Sequence, residues 1–354
     1  MLIGMKVEAT PEQIQGVCQA VEKLGLRAHR LGGAPCSAIV VTGNQDDAEL
    51  DKLKALSGVA EVTRLLKPFK LVSREAKQED TVIRFVAVSG SCPEAAIGGQ
   101  TLAILAGPGA SEDREEAIAL AGQMAALGAQ FFRCNGLEGV GQGEALDILT
   151  GIRSRFGLRL VAEANDSRSL DAAVEWADIL QIGARNMQNF ALLKHAGRLR
   201  KPVIVMRGLS ATLEEFLMAA EYVMSEGNYE VILCESGVRG FADHARNTLD
   251  LSIIPAVKQL SHLPILVDPG QATGRRASAL PMARAAIAAG ADGVLAEVDN
   301  QAETALSEDL QSINPGQFAR MMDDLEQIAP MVGRCLVCGI GSATQHSSRN
   351  GNPL

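Results

Sequence analysis

Hydrophobic positions change their rhythm near residue 100. Before it the pattern reads strand, helix, strand, helix, strand. Residues 2–7 form a short apolar run, and Thr10-Pro11-Glu12 is a helix start with Thr as N-cap and Pro in the first turn. From Ile14 onward, Ile14, Val17, Val21 and Leu24 fall on one helical face. Residues 37–42 are β-branched, 46–56 helical, and 59–66 a further strand. This is the pattern of a small ferredoxin-like α+β domain, a unit suited to binding a ligand or another subunit.

From Thr101 the chain repeats strand-then-helix units. Apolar strand candidates fall at 102–106, 130–133, 159–162, 179–182, 202–205, 230–234, 264–267 and 293–297. Helical patterns separate them, including 112–127, 143–155, 213–224, 247–260 and 276–289. Continuous Val/Ile/Leu runs suit parallel strands buried on both faces. Eight such units favour a closed (β/α)8 TIM barrel over an open doubly wound sheet. The expected organisation is a ferredoxin-like domain at 1–73, a linker and barrel cap at 74–100, the barrel at 101–334 and a Gly/Ser/Asn-rich tail at 335–354.

Composition narrows the possibilities. The 354 residues hold one large and one small domain, and 47% hydrophobic with 3% aromatic residues requires aliphatic cores. No apolar run reaches membrane-spanning length and no basic-then-apolar leader precedes the first strand, so neither a membrane span nor a signal peptide is read. A net charge of −9 argues against nucleic acid as a partner. Seven scattered Cys fit a reducing cytoplasm, and the lone Cys335-x-x-Cys338 pair has no second pair beside it.

In a barrel of this kind, chemistry sits at the C-terminal strand ends. Those ends read Gly107-Pro108-Gly109, Arg133-Cys134-Asn135, Glu163-Ala164-Asn165, Gly183-Ala184-Arg185-Asn186, Met206-Arg207-Gly208, Glu235-Ser236-Gly237, Asp268-Pro269-Gly270-Gln271 and Glu297-Val298-Asp299. Gly, Asp and Asn at such places also serve merely to turn the chain, so the ring as a whole counts for more than any member. Glu163, Asp268 and Cys134 are the candidate catalytic groups, with Cys134 expected to face the cleft beside Arg133 or to be an inert buried thiol. Gly136, Gly139, Gly141 and Gly143 form either an anion-cradling loop or a short flexible splice. Lys194 and His195 read as residues of an exposed helix.

Several longer segments carry a resemblance: 65–75, followed by Glu79-Asp80-Thr81-Val82-Ile83; 178–190, reading DILQIGARNMQNF; Arg207-Gly208-Leu209-Ser210-Ala211-Thr212; 246–252; and Leu263-Pro264-Ile265-Leu266-Val267-Asp268-Pro269. The chain resembles the type I-beta DAHP synthases, which condense phosphoenolpyruvate with erythrose 4-phosphate at the entry to the shikimate pathway of aromatic amino acid biosynthesis. The resemblance covers nearly the whole chain and implies the barrel with its small N-terminal domain.

It also implies a metal held by a Cys, a His, a Glu and an Asp. At the matching positions stand Gly109, Gln271, Glu297 and Glu308, so only two carboxylates survive. The expectation is no cofactor, or at most a loosely held Mg²⁺ or Mn²⁺. The substrate-binding set retains Arg133, Gly183, Ala184 and Arg185. The Lys expected after strand 5 is Met206, the Arg after strand 6 is Ser236, and a Lys-Pro-Arg-Thr segment beyond Arg133 is missing.

Two phosphate esters need several fixed cations, so standard synthase activity is not expected of this degenerate member. Three readings follow. The first is a ligand-binding or regulatory homologue, a pseudoenzyme. The second is an aldol-type C–C bond enzyme repurposed for another keto acid or sugar. The third is an active transferase of the family's own reaction. Expected partners are a small carboxylate or phosphate ligand, an aromatic amino acid at the N-terminal domain, further copies of the chain as a dimer or tetramer, and a pathway enzyme. His29 falls at a family position tied to feedback binding but reads on its own as a surface His.

Overall fold

The computed structural model describes residues 1–31, 38–43, 52–65, 67–87, 92–109, 114–134, 142–300, 302 and 311–336. Glu308, Cys338, most of the tail and three of the four glycines after Arg133 (Gly136, Gly139, Gly141) lie outside them, and Gly143 falls in a helix.

The small domain is a sheet of β1 (Leu2–Met5), β2 (Arg27–Leu31), β3 (Ala38–Thr42) and β4 (Val59–Thr63), in the order β2-β3-β1-β4. Its helix Pro11–Lys23 starts as the sequence predicts: Thr10 Oγ1 accepts from Gln13 N–H, and Gln13 Oε1 accepts from Thr10 N–H at 3.0 Å. Ile14, Val17, Cys18 and Val21 of that helix pack on Met1, Ile3, Ile39 and Val41 of the sheet. Strand β2 was not among the predicted elements. Its Arg27-Ala28-His29-Arg30 run looks polar because it forms the edge among the described strands, where it pairs with β3.

Two short strands, β5 (Ile83–Phe85) and β6 (Ala95–Ile97), form an antiparallel hairpin. Ile83, Phe85, Ala95 and Ile97 share one cluster with the inward residues of the barrel, and Phe85 meets Phe131 edge-on at 5.2 Å. The interval between the domains is thus the plug of the barrel.

The barrel closes through β7 (Ala103–Gly107), β8 (Phe131–Arg133), β9 (Arg159–Ala164), β10 (Ile179–Ile182), β11 (Val203–Met206), β12 (Val231–Glu235), β13 (Ile265–Val267) and β14 (Gly293–Glu297), all parallel. Side-chain parity divides each strand. Leu105, Phe131, Val161, Ile179, Ile204, Leu266 and Leu295 fill the lumen, while Ile104, Phe132, Leu160, Leu180 and Val205 pack outward on the helices. The predicted helix at 247–260 is a helix only over Ile253–Leu260, because Thr248 bridges to Val238 and the Asp250 carboxylate is taken by Arg207. No helix among the described residues is long and apolar enough to cross a membrane.

Buried polar groups fasten the N-terminal half to the barrel. Glu221, on the helix Leu213–Ser225, accepts N–H groups from Lys70 (3.0 Å), Leu71 (2.9 Å) and Val72 (3.0 Å). Burial pushes its pKa up against the pull of those donors. His262 donates from Nε2 to Leu71 O at 2.8 Å, and its Nδ1 faces the Thr81 hydroxyl at 2.8 Å.

His29 is a correction: it is buried, with Nδ1 3.1 Å from the Tyr229 hydroxyl and Nε2 2.9 Å from Thr42 Oγ1. As the hydrogen-bonded interior of β2 it cannot be a surface His. His195 is half-buried and bound to Asp171 rather than lying on a fully exposed face.

Burial lowers the pKa of His262 to about 4. The unfolded chain, with His near 6.5, therefore binds this proton more tightly, and the stability from a neutral His262 is complete above pH 6.5 and lost as pH falls toward 4. In urea titrations, His262→Gln should reduce the acid loss between pH 7 and pH 4 by about 3 kcal/mol. An unchanged slope would show that His262 is not the group responsible.

Candidate functional site

The same parity that fills the lumen decides which strand-end residues meet. Phe131 points inward and Phe132 outward, so Arg133 points inward and Cys134 outward. Cys134 lies in the outer core, its thiol donating to Phe132 O at 3.5 Å, and burial pushes its pKa up. It does not face the cleft, contrary to the expectation, and is not placed to act there as a nucleophile.

Arg133 is 5% exposed and shares its guanidinium between two carboxylates. Nη1 is 3.4 Å from Asp268 Oδ2, and Nη2 is 3.9 Å from Glu297 Oε2. Asp268 also N-caps the short helix Pro269–Thr273 by accepting from Gln271 N–H at 2.9 Å. Its burial raises its pKa to about 6 in spite of Arg133 and that N–H, with Glu297 and Glu163 pushing the same way.

Glu297 closes the other side. Its Oε2 accepts from Gln311 Nε2 at 2.8 Å and its Oε1 from the Ser312 hydroxyl. A Cβ placed on Gly109 would stand 2.6 Å from Glu297 Oε1. The carboxylate thus occupies the space that any side chain at 109 would need. Gln271, the other residue at an expected ligand position, contributes a neutral amide that binds metals poorly. Among the described residues no three His, Cys, Asp or Glu groups are arranged to hold a metal ion. The described members of the expected set, Gly109, Gln271 and Glu297, do not fit a transition metal.

A second network lies beside the first. Arg207 donates from Nη1 to Glu235 Oε2 at 3.0 Å and to Asp250 Oδ2 at 2.9 Å. Glu235 is wholly buried, its Oε1 accepting Gly237 N–H at 2.8 Å, and burial raises its pKa against the attraction of Arg207. Ser236 donates its hydroxyl to Arg207 O. Glu163 accepts from Gln181 Nε2 at 2.7 Å and presses on Gly183, where a Cβ would stand 2.4 Å from its Oε1. Arg185 is exposed on the turn that follows.

The structure therefore brings together Arg133, Asp268, Glu297 and Gly109 around one point, and Glu163 with Gly183 around another. Four residues escaped notice in the sequence as site members: Gln181, Gln311, Ser312 and Asp250. Gln181 alone carried a signal, as a polar residue interrupting the apolar run of β10.

Two family models match the chain: the DAHP synthetase I family over residues 80–333 and the DAHP synthase ferredoxin-like domain over residues 1–67. The chain belongs to the DAHP synthase family. It is 39% identical to a phospho-2-dehydro-3-deoxyheptonate aldolase of Thermotoga maritima over 94% of this chain and 99% of that one. A crystal structure of that Thermotoga maritima protein covers 95% of this chain and 98% of its own, with a TM-score of 0.72. A 2-dehydro-3-deoxyphosphooctonate aldolase of Syntrophotalea carbinolica is 28% identical over 66% of this chain and 93% of that one. DAHP synthase kinship thus extends through both domains, and the arrangement of charges described above lies at the mouth of the barrel.

Two outcomes test that arrangement. The native protein binds the Asp268 proton more tightly than the unfolded chain, whose Asp titrates near 3.8, so stability from this site falls as pH rises from 4 to 6. The difference in unfolding free energy between wild type and Asp268→Asn should shrink by about 2 kcal/mol from pH 4 to pH 7; a flat difference contradicts the assignment. Separately, Gly109→Cys should destabilise by roughly 1–3 kcal/mol through overpacking against Glu297. It should also bring no Mn²⁺ binding by calorimetry, and tight Mn²⁺ binding would mean that Glu297 is free to turn.

Proposed function

We propose that this chain is a ligand-binding, regulatory member of the DAHP synthase family that does not perform the metal-assisted condensation. The observation that carries the reading is the state of Glu297. Both its oxygens are engaged by Ser312 and Gln311, and the residue facing it, Gly109, has no donor atom, with the Glu297 carboxylate standing where a side chain would go. The cations of the mouth support the same reading. Arg133 and Arg207 are each shared between two carboxylates, and Met206 and Ser236 stand where further cations would bind phosphate. Each charged hydrogen bond lost removes roughly 1.5–3 kcal/mol of binding.

A second reading, an active synthase, is favoured by the 39% identity to the Thermotoga maritima aldolase across 94% of this chain. One assay separates the two. Purified protein supplied with phosphoenolpyruvate, erythrose 4-phosphate and Mn²⁺ should form no 3-deoxy-heptulosonate 7-phosphate above the enzyme-free control. Turnover that disappears in Arg133→Ala would establish the second reading and end the first.

A further inference from the structure

The wall of the mouth carries an acceptor pair that the two arginine networks leave out. Gln181, on β10, is wholly buried, and its amide nitrogen donates to Glu163 Oε2 at 2.7 Å and approaches Met206 Sδ at 3.2 Å. Turning the amide over would set its carbonyl against that carboxylate, so the orientation is fixed. In this orientation Gln181 Oε1 has no hydrogen-bond partner. A buried carbonyl in that state has lost its hydration with nothing in exchange.

Glu163 adds a charge to the same spot. Its Oε2 has only the neutral amide, its Oε1 lies against the Gly183 backbone, and no Arg or Lys pairs with it among the described residues. The neighbouring position that could supply a cation is Met206, apolar and fully buried. Met206 is also a soft wall: its unbranched thioether can swing off the pair, whereas the Gly183 backbone cannot.

We propose that Glu163 and the free carbonyl of Gln181 form a subsite for the ammonium group of a small primary amine. An ammonium brings three donors and one positive charge. That meets an unpaired carbonyl and an unneutralised carboxylate together, which a hydroxyl, with one donor and no charge, does not. The pair has too few anionic ligands for a divalent cation. This inference rests on the reading of the mouth as a ligand site without the family's metal. Its test measures amine binding alone, so product formation in the synthase assay would overturn that reading without deciding this result.

The test is thermal unfolding of the full-length protein with ethylammonium chloride, using ethanol and sodium chloride as matched controls. Ethylammonium should raise Tm saturably and the controls should not. Glu163→Gln should raise the half-saturating concentration at least tenfold, as should Gln181→Met, which removes the carbonyl while keeping the side chain's length. Met206→Lys places an internal ammonium beside the pair. It should fold with a Tm no lower than wild type and lose the ethylammonium response, although a buried Lys ordinarily destabilises. No ethylammonium-specific shift up to about 0.1 M, an equal shift in Glu163→Gln and Gln181→Met, or a Met206→Lys protein that keeps the response would each overturn the proposal.

Discussion

Everything at the mouth of this barrel depends on how buried negative charge is neutralised. Parallel strands carry Glu163, Glu235, Asp268 and Glu297 at their C-terminal ends, and the last three of these carboxylates are buried. Isolated ionised groups there would be very costly, and the chain answers with two arginines, each bridging a pair. Arg133 holds Asp268 and Glu297, and Arg207 holds Glu235 and Asp250. These pairs tie together the side chains at the ends of five strands, β8 with β13 and β14 in one network and β11 with β12 in the other. They also engage cationic groups that would otherwise be open to anionic ligands. Structural need and ligand chemistry compete for the same guanidinium groups, and in this chain structure holds most of them.

Much of the architecture was legible from residue order. Runs such as Val203-Ile204-Val205 and Ile265-Leu266-Val267 can hardly be anything other than strands buried on both faces, and eight of them imply closure. The edge strand β2 was hidden because Arg27 and Arg30, exposed on opposite faces of the strand, mask its alternation. The plug was hidden for another reason. Strands of three residues, Ile83–Phe85 and Ala95–Ile97, are too short to show a period.

At the site, the ring of polar strand ends could be read from the sequence, but which members touch could not. Parity counted along β8 would have turned Cys134 outward, because Phe131 and Arg133 must share a face. The pairings of Arg133 with Asp268 and of Glu297 with Ser312 span 135 and 15 residues and depend on barrel register, which no local pattern encodes. Gly109 looked like a deleted ligand; in three dimensions it is also the clearance for the Glu297 carboxylate.

The Glu221 carboxylate draws its three N–H donors from consecutive residues of the segment leaving the small domain. Because those donors are backbone groups, no substitution of side chains at Lys70, Leu71 or Val72 short of proline can remove them. The attachment is therefore insensitive to sequence drift along the connector yet sensitive to its length and path. A shortened protein that begins before Lys70 keeps the anion solvated by peptide groups. One that begins after Val72 removes the three donors together with the cover that buries Glu221, so water has to replace the peptide groups around the carboxylate on the helix Leu213–Ser225.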